Sequence, residues 1–212
     1  MIKLYAAEIS ALPDPKDAPW VIRLLSAERQ KRILQYGKPG DRKRCLGAGL
    51  LLRKVLSLYG VNAEDIRTGA DGKPFVEGIG FNVSHSENLA ACAVGNGAVG
   101  CDVEKITAAP DGVAARFFHP NEARFLEACE KQASDESFFR IWTMKESYLK
   151  MTGEGLMLPL DRFEVRPESG EVIREKQLLP CGITEYRIMD YQAAVCANEP
   201  RSRSVIFWES LL

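Results

Sequence analysis

Val99-Gly100-Cys101-Asp102-Val103-Glu104 and, about forty residues later, Trp142-Thr143-Met144-Lys145-Glu146-Ser147-Tyr148-Leu149-Lys150 decide how this chain is read. The first stretch alternates as a strand does. That places Asp102 and Glu104 on one face and Cys101 and Val103 on the other. Around the second, Phe138, Ile141, Trp142, Tyr148 and Leu149 recur at helical spacing. Glu146 and Lys150 are four apart and project together from such a helix. If the helix crosses the strand, three carboxylates and an ammonium converge. Hard oxygen ligands of this kind suit Mg²⁺, which binds a few carboxylates and completes its shell with water and substrate phosphates. Lys150 adds a point charge for a phosphate. Each half alone has a plainer reading. Asp102 and Glu104 could be a solvated strand face, and Glu146 with Lys150 an ordinary intrahelical ion pair worth roughly 0.2–0.5 kcal/mol. Their occurrence together, in this order, favours a shared site.

The rest of the chain sets the bounds. Its 212 residues suffice for one large domain or two small lobes. With 46% hydrophobic and 27% charged residues it has the composition of an ordinary soluble protein. The net charge of −1 hides an asymmetry. Arg23, Arg29, Lys31, Arg32, Lys38, Arg42, Lys43, Arg44, Arg53 and Lys54 face only Glu28 and Asp41 between positions 23 and 54. Such a cluster can bind polyanions, although a solvated helix face is the bland alternative. The cysteines at 45, 92, 101, 129, 181 and 196 form no C-x-x-C pair, and Cys45, Cys92, Cys101 and Cys196 fall in apolar runs that read as buried thiols. Met1-Ile2-Lys3-Leu4 begins an alternating strand rather than a signal sequence. No stretch approaches the roughly 18 apolar residues of a membrane span. A reducing cytoplasm is therefore expected.

The element pattern is α+β. A strand over 2–9 precedes a helix capped near Ser26 and a second helix, capped by Asp41, that ends before Gly60. A turn at Ala70-Asp71-Gly72-Lys73, strands over 81–84 and 89–94, and a hairpin at Asn96-Gly97 lead into the Asp102 strand. Pro120 and Asn121 open another helix, followed by one over 134–151. Strands are then expected over 161–166, 171–177, 184–189, 193–197 and 204–208. Leu89-Ala90-Ala91-Cys92-Ala93-Val94 and Gln192-Ala193-Ala194-Val195-Cys196-Ala197 look alike. With the shared helix-then-strands order, this suggests two similar lobes, 1–98 and 99–212.

Gly100-x-Asp102-x-Glu104 and Trp142-x-x-Lys145-Glu146-x-x-x-Lys150 resemble the signature of the 4′-phosphopantetheinyl transferase superfamily, of the surfactin-synthetase-activating (Sfp) type. Gly72-Lys73-Pro74, Phe81-Asn82-Val83-Ser84-His85-Ser86 and Gly153-Glu154-Gly155-Leu156 also look like its motifs. The resemblance covers most of the chain from about Ser26. It implies two pseudo-twofold-related lobes, each with helices on a mostly antiparallel sheet, and an active site in the cleft between them. It further implies transfer of the phosphopantetheine arm of coenzyme A to a serine of an apo acyl or peptidyl carrier protein by a monomeric enzyme, with no nucleic-acid or membrane partner. Asp102, Glu104 and Glu146 match the metal ligands, for Mg²⁺ or Mn²⁺. Lys150 matches the diphosphate lysine and Glu146 the residue that takes the serine proton. Arg29, Arg32, Arg44, Lys73, Ser84 and His85 match residues that hold CoA. Glu122 matches a family acid near the site, or is an ordinary helix-start acid. His119 reads as a cap or loop residue. Carrier docking is expected beside residues 117–131 and the Trp142 helix, with Arg116, Arg124 and Lys131 as cations and Phe118, Phe125 and Leu126 as apolar contacts, of which Phe125 and Leu126 could instead be core. A metal-dependent CoA diphosphate hydrolase would need the same ion but would position water. A non-catalytic CoA- or carrier-binding module would have no need of all three acids.

Overall fold

The computed structural model describes residues 1–62, 65–69 and 74–212. The chain runs β1 (Ile2–Glu8), α1 (Pro19–Ile22), α2 (Ala27–Gln35), α3 (Pro39–Ser57), β2 (Arg67–Thr68), β3 (Pro74–Phe75), β4 (Gly80–Ser86), β5 (Leu89–Gly95) and β6 (Val99–Lys105). It continues as α4 (Val113–Phe117), α5 (Pro120–Glu127), α6 (Lys131–Thr152), β7 (Phe163–Arg166), β8 (Glu171–Arg174), β9 (Gln177–Ile188), β10 (Tyr191–Ala197) and β11 (Arg201–Trp208). The expected turn at Ala70-Asp71-Gly72-Lys73 lies outside the described residues.

Two sheets carry the fold, in the orders β11-β1-β5-β4 and β6-β10-β9-β8-β7. One face of the first sheet packs on α3, where Tyr5, Ala7, Ala90, Cys92 and Val94 meet Leu46, Leu50 and Leu51. One face of the second packs on α6, joining Ala194 and Cys196 to Ile141, Met144 and Tyr148. The remaining faces form a third core in which Leu4, Ala6, Leu89 and Ala91 meet Val99, Cys101, Val103, Ala193 and Val195. Both central strands, β5 and β10, are thus covered on both sides and buried throughout. That burial explains why both are dominated by small apolar residues, over 89–95 and 193–197, rather than alternating ones.

Several elements fall where the sequence places them. Ser26 caps α2 by accepting from the Arg29 amide. The thiols of Cys45, Cys92, Cys101 and Cys196 are buried. Other details differ. The second helix begins at Pro39, whose fixed φ and missing N–H suit a first turn, so Asp41 sits inside it and pairs with Arg44 at 2.5 Å. Arg42 of the basic stretch is buried and binds Asp14, the Tyr36 carbonyl and the Gly37 carbonyl. The strand expected over 171–177 stops at Arg174 because Glu175 and Lys176 adopt positive φ and turn the chain into β9. Pro180, which lacks an N–H for a ladder, lies within β9 where its register with β8 shifts.

The largest departure concerns Asn96-Gly97. It does not close a hairpin between β5 and β6. β5 pairs with β1 and β4, whereas β6 pairs with β10. The connection instead carries the chain from one sheet to the other, and the Gly97 carbonyl lies where a side chain on Gly80 would have to stand. The chain later returns. β11, from the stretch assigned to the second lobe, pairs in parallel with β1 in the first sheet.

Gly100 sets the approach of α6 to β6. A Cβ there would lie 2.0 Å from the Ser147 carbonyl oxygen and 2.4 Å from the Met151 amide nitrogen. Those atoms are backbone and cannot swing aside, so strand and helix touch only because position 100 is glycine. Gly100→Ala is expected to push α6 off the strand, at a cost of about 1–3 kcal/mol typical of overpacking. A lower melting temperature and reduced activity would together report it. A variant that melts and turns over like the parent protein would show that the contact imposes no constraint.

Candidate active site

Gly100, Asp102 and Glu104 occupy the face of β6 that α6 covers, while Cys101 and Val103 enter the core between the sheets. Because Gly100 admits the helix, Lys150 reaches Asp102, with Nζ 2.6 Å from Oδ1. Asp102 is only 3% exposed. Its Oδ1 also accepts from the Ser84 hydroxyl at 2.8 Å, and Lys150 donates to Ser84 Oγ at 3.0 Å. The triangle joins one residue each from β4, β6 and α6.

β4 and β6 are edge strands of different sheets, and side chains bridge them in place of a backbone ladder. Ser84 donates to Asp102, and Ser86 donates to Glu104 Oε2 at 2.7 Å. The Cys101 amide donates to Asn82 Oδ1 at 3.0 Å. Residues 82, 84 and 86 alternate onto one side of β4, so every second residue is a polar group that closes an otherwise open edge.

The acids repel one another. Burial, then the Asp102 charge, pushes Glu104 up to about 7, with the Ser86 hydrogen bond opposing. Burial and the Asp102 charge also raise Glu146, against the pull of Lys150. Burial works against the charge on Lys150, but Asp102, Cys101 and Glu146 outweigh it and hold its pKa above the ordinary lysine value. Asp102 Oδ2 is buried without a hydrogen-bond partner. An unpartnered carboxylate oxygen beside two further acids fits a hard cation. Among the described residues no three His, Cys, Asp or Glu side chains draw together into a closed metal cage. Such a cage is not needed for Mg²⁺, which commonly relies on one or two carboxylates and substrate phosphates.

The expected CoA residues divide. Ser84 belongs to the triangle. His85, next along β4, points to the other side and is exposed. Desolvation by the surrounding protein, followed by the charges of Lys150, Arg44 and Arg29, holds its pKa below the usual histidine value. Arg29 and Arg32 line a cavity with Ser26, Arg53 and Pro74, while Arg44 is not among its walls. Arg53 is a basic lining residue that the motifs do not single out. Lys73 lies outside the described residues.

Lys145 and Glu122 have a role that motif reading left unresolved. Lys145 is fully buried, 2.9 Å from Glu122 Oε2, and donates to the carbonyls of Leu160 and Phe163. Its Nζ also lies 4.1 Å from the centre of the Phe163 ring. Glu122 accepts from the amides of His119 and Val165. His119 is the cap of α5 and completes a capping box with Glu122. These contacts tie α5, α6 and β7 together and set the rotation of the helix bearing Glu146 and Lys150. Phe118 and Leu126 are core residues, packed with Phe138, so they present no docking surface; Phe125 is 45% exposed.

A profile described as the 4′-phosphopantetheinyl transferase superfamily matches residues 98–196, which span β6, α6 and β10. The chain is 34% identical over 224 residues to the 4′-phosphopantetheinyl transferase ffp of Bacillus subtilis, covering 100% of both chains. It is 34% identical to the transferase Sfp of Bacillus subtilis strain 168, covering 90% of this chain and 96% of that one. It is also 34% identical to the transferase gsp of Aneurinibacillus migulanus, covering 82% and 75%. The chain belongs to the 4′-phosphopantetheinyl transferase superfamily. Its likeness along the whole chain is to the Sfp type.

Burial pushes the Glu122 carboxyl up and the Lys145 ammonium down, so each charge keeps the other ionised. Removing one partner of such a pair typically costs about 3–5 kcal/mol. Lys145→Met is therefore expected to destabilise the protein by that order in chemical denaturation. The K145M/E122Q double variant should lose clearly less than the two single losses added together. Additive losses would show that the pair is not coupled.

Proposed function

We propose that this enzyme transfers the 4′-phosphopantetheine arm of CoA to a serine hydroxyl of an apo acyl or peptidyl carrier protein, with release of adenosine 3′,5′-bisphosphate. The observation that carries the reading is the convergence of Asp102, Glu146 and Lys150 from β6 and α6, the two segments that hold the family signature. Asp102, Glu104 and Glu146 would hold the ion, Mg²⁺ or alternatively Mn²⁺. Bound there, the ion supplies Lewis-acid neutralisation of the diphosphate.

The remaining roles follow from the side chains. Lys150 offers an ammonium to the diphosphate oxygens. Ser84 and Asp102 fix that ammonium in place. Arg29, Arg32, Arg44 and His85 present donors to the phosphate on the nucleotide end, where guanidinium groups can bond in bidentate fashion. Lys73 joins this set by its place in the motif. The serine oxygen attacks the phosphorus that carries pantetheine, and the bond from that phosphorus to the bridging diphosphate oxygen breaks. Glu146 accepts the serine proton. In the metal-free protein burial and the Asp102 charge raise its carboxyl, and a bound cation would draw it back down, so its part in the proton transfer rests on its position beside Asp102 and Lys150. An acidic carrier would dock beside α4 and α5, where Arg116, Phe117, Arg124 and Phe125 reach solvent. No helix among the described residues is long and apolar enough to cross a membrane. The free thiols suit a reducing cytoplasm, and we read the enzyme as a monomer.

Incubation with CoA, Mg²⁺ and an apo carrier should add the arm to the carrier, read by intact mass, and chelation should stop it. Breakdown of CoA without any carrier would instead favour a hydrolase. Glu146→Gln should abolish transfer with the fold retained; near-normal turnover at saturating Mg²⁺ would remove Glu146 from the mechanism. His85→Ala should weaken CoA more than dephospho-CoA. Since hydrogen bonds to charged groups contribute about 1.5–3 kcal/mol, the difference should be roughly tenfold to a hundredfold. Equal weakening of both ligands would place His85 away from the 3′-phosphate.

A further inference from the structure

We infer that Ser86 is a positioning residue that holds the Glu104 carboxylate in place for the metal. The inference rests on reading Asp102, Glu104 and Glu146 as the metal acids. The Ser86 hydroxyl has one proton to donate, and its surroundings fix where that proton goes. Its oxygen accepts from the Lys105 amide at 3.1 Å, and its proton is directed to Glu104 Oε2 at 2.7 Å. The Lys105 amide sits on the open edge of β6 and finds its acceptor in this side chain.

Ser84 and Ser86 form successive rungs between β4 and β6, but they differ in chemistry. The oxygen of Ser84 is shared with Lys150, so that rung belongs to the lysine as much as to Asp102. Ser86 receives its second bond from backbone, so its rung serves Glu104 alone. Glu104 needs such a restraint more than Asp102 does. Asp102 is locked by burial, Ser84 and Lys150, whereas Glu104 is longer and lies at a half-exposed strand end. Without the hydroxyl, its carboxylate can rotate into water. The same rung ties the strand bearing His85 to the strand bearing the acids, so nucleotide end and metal end keep a fixed spacing.

Groups that orient metal ligands typically contribute 10–100-fold to metal affinity. The test is Mn²⁺ binding to the full chain without CoA, followed by electron paramagnetic resonance of the free ion. Melting in chelator and CoA affinity in chelator are measured alongside. Ser86→Ala should weaken Mn²⁺ about tenfold. CoA affinity in chelator should stay unchanged, and in the assay the Mg²⁺ requirement should rise while kcat at saturating Mg²⁺ largely recovers. Ser86→Thr keeps the hydroxyl and should retain most of the affinity, whereas the near-isosteric Ser86→Val should not. That second pair decides the matter if Ser86→Ala fails to fold. Mn²⁺ affinity that falls in Glu104→Gln but holds in both Ser86→Ala and Ser86→Val would overturn the positioning role. Mn²⁺ affinity unmoved even by Glu104→Gln would overturn the assignment of the acids, and the role of Ser86 with it.

Discussion

The contact between the backbone of α6 and the backbone of β6 at Gly100 is the constraint on which the site depends. Helices usually stand off a sheet by the width of the side chains between them. Here a missing Cβ brings the turn from Ser147 to Met151 down onto the strand. The serine at 147 is small, buried and turned back onto the Met144 carbonyl, so it too leaves room. The approach is what allows an ammonium on the helix to lie 2.6 Å from a carboxylate two residues along the strand.

A close approach fixes distance but not rotation. Rotation is set one turn earlier, where Lys145 is drawn to the far side of the helix by Glu122 and the carbonyls of Leu160 and Phe163. Taking both charges out of water is costly, and it is tolerated because every polar atom of the ammonium has a partner. The next residue, Glu146, turned about 100° round the helix, lies within reach of the charges of Asp102 and Lys150. Lys145 and Glu146 are adjacent in sequence and differ in surroundings: one anchors the helix internally, the other interacts with the charges of Asp102 and Lys150.

The seam between the sheets supplies the third element. Two edge strands meet through Asn82, Ser84 and Ser86 without sharing a backbone ladder. Side-chain rungs leave the carboxylates of β6 held at one end and available at the other, which a continuous ladder of apolar side chains could not do. β11 ties the halves together again by returning to pair with β1, so the seam is enclosed by a chain that crosses it twice.

The strand bearing Asp102 and Glu104, the helix bearing Glu146 and Lys150, the cap at Ser26 and four of the five buried thiols were legible in the sequence, because each rests on local periodicity or on a short motif. So was the likeness of β5 to β10, whose small apolar residues record burial on both faces. The sequence could not say that Asn96-Gly97 leads away from its neighbour strand, because turn chemistry fixes a reversal locally but not the strand that receives the next one. Nor could it separate the docking candidates Phe118 and Leu126, which are core, from Phe125, which is exposed: Phe125 and Leu126 are neighbours on a short helix whose orientation depends on Glu122 and Lys145, and Phe118 lies in the turn that leads into it. Gly100 was legible as part of a motif and unexplained as a residue. Its reason, like that of Ser86, is a partner eighteen or more positions away, and only the packed chain brings such partners within a hydrogen bond or a van der Waals radius.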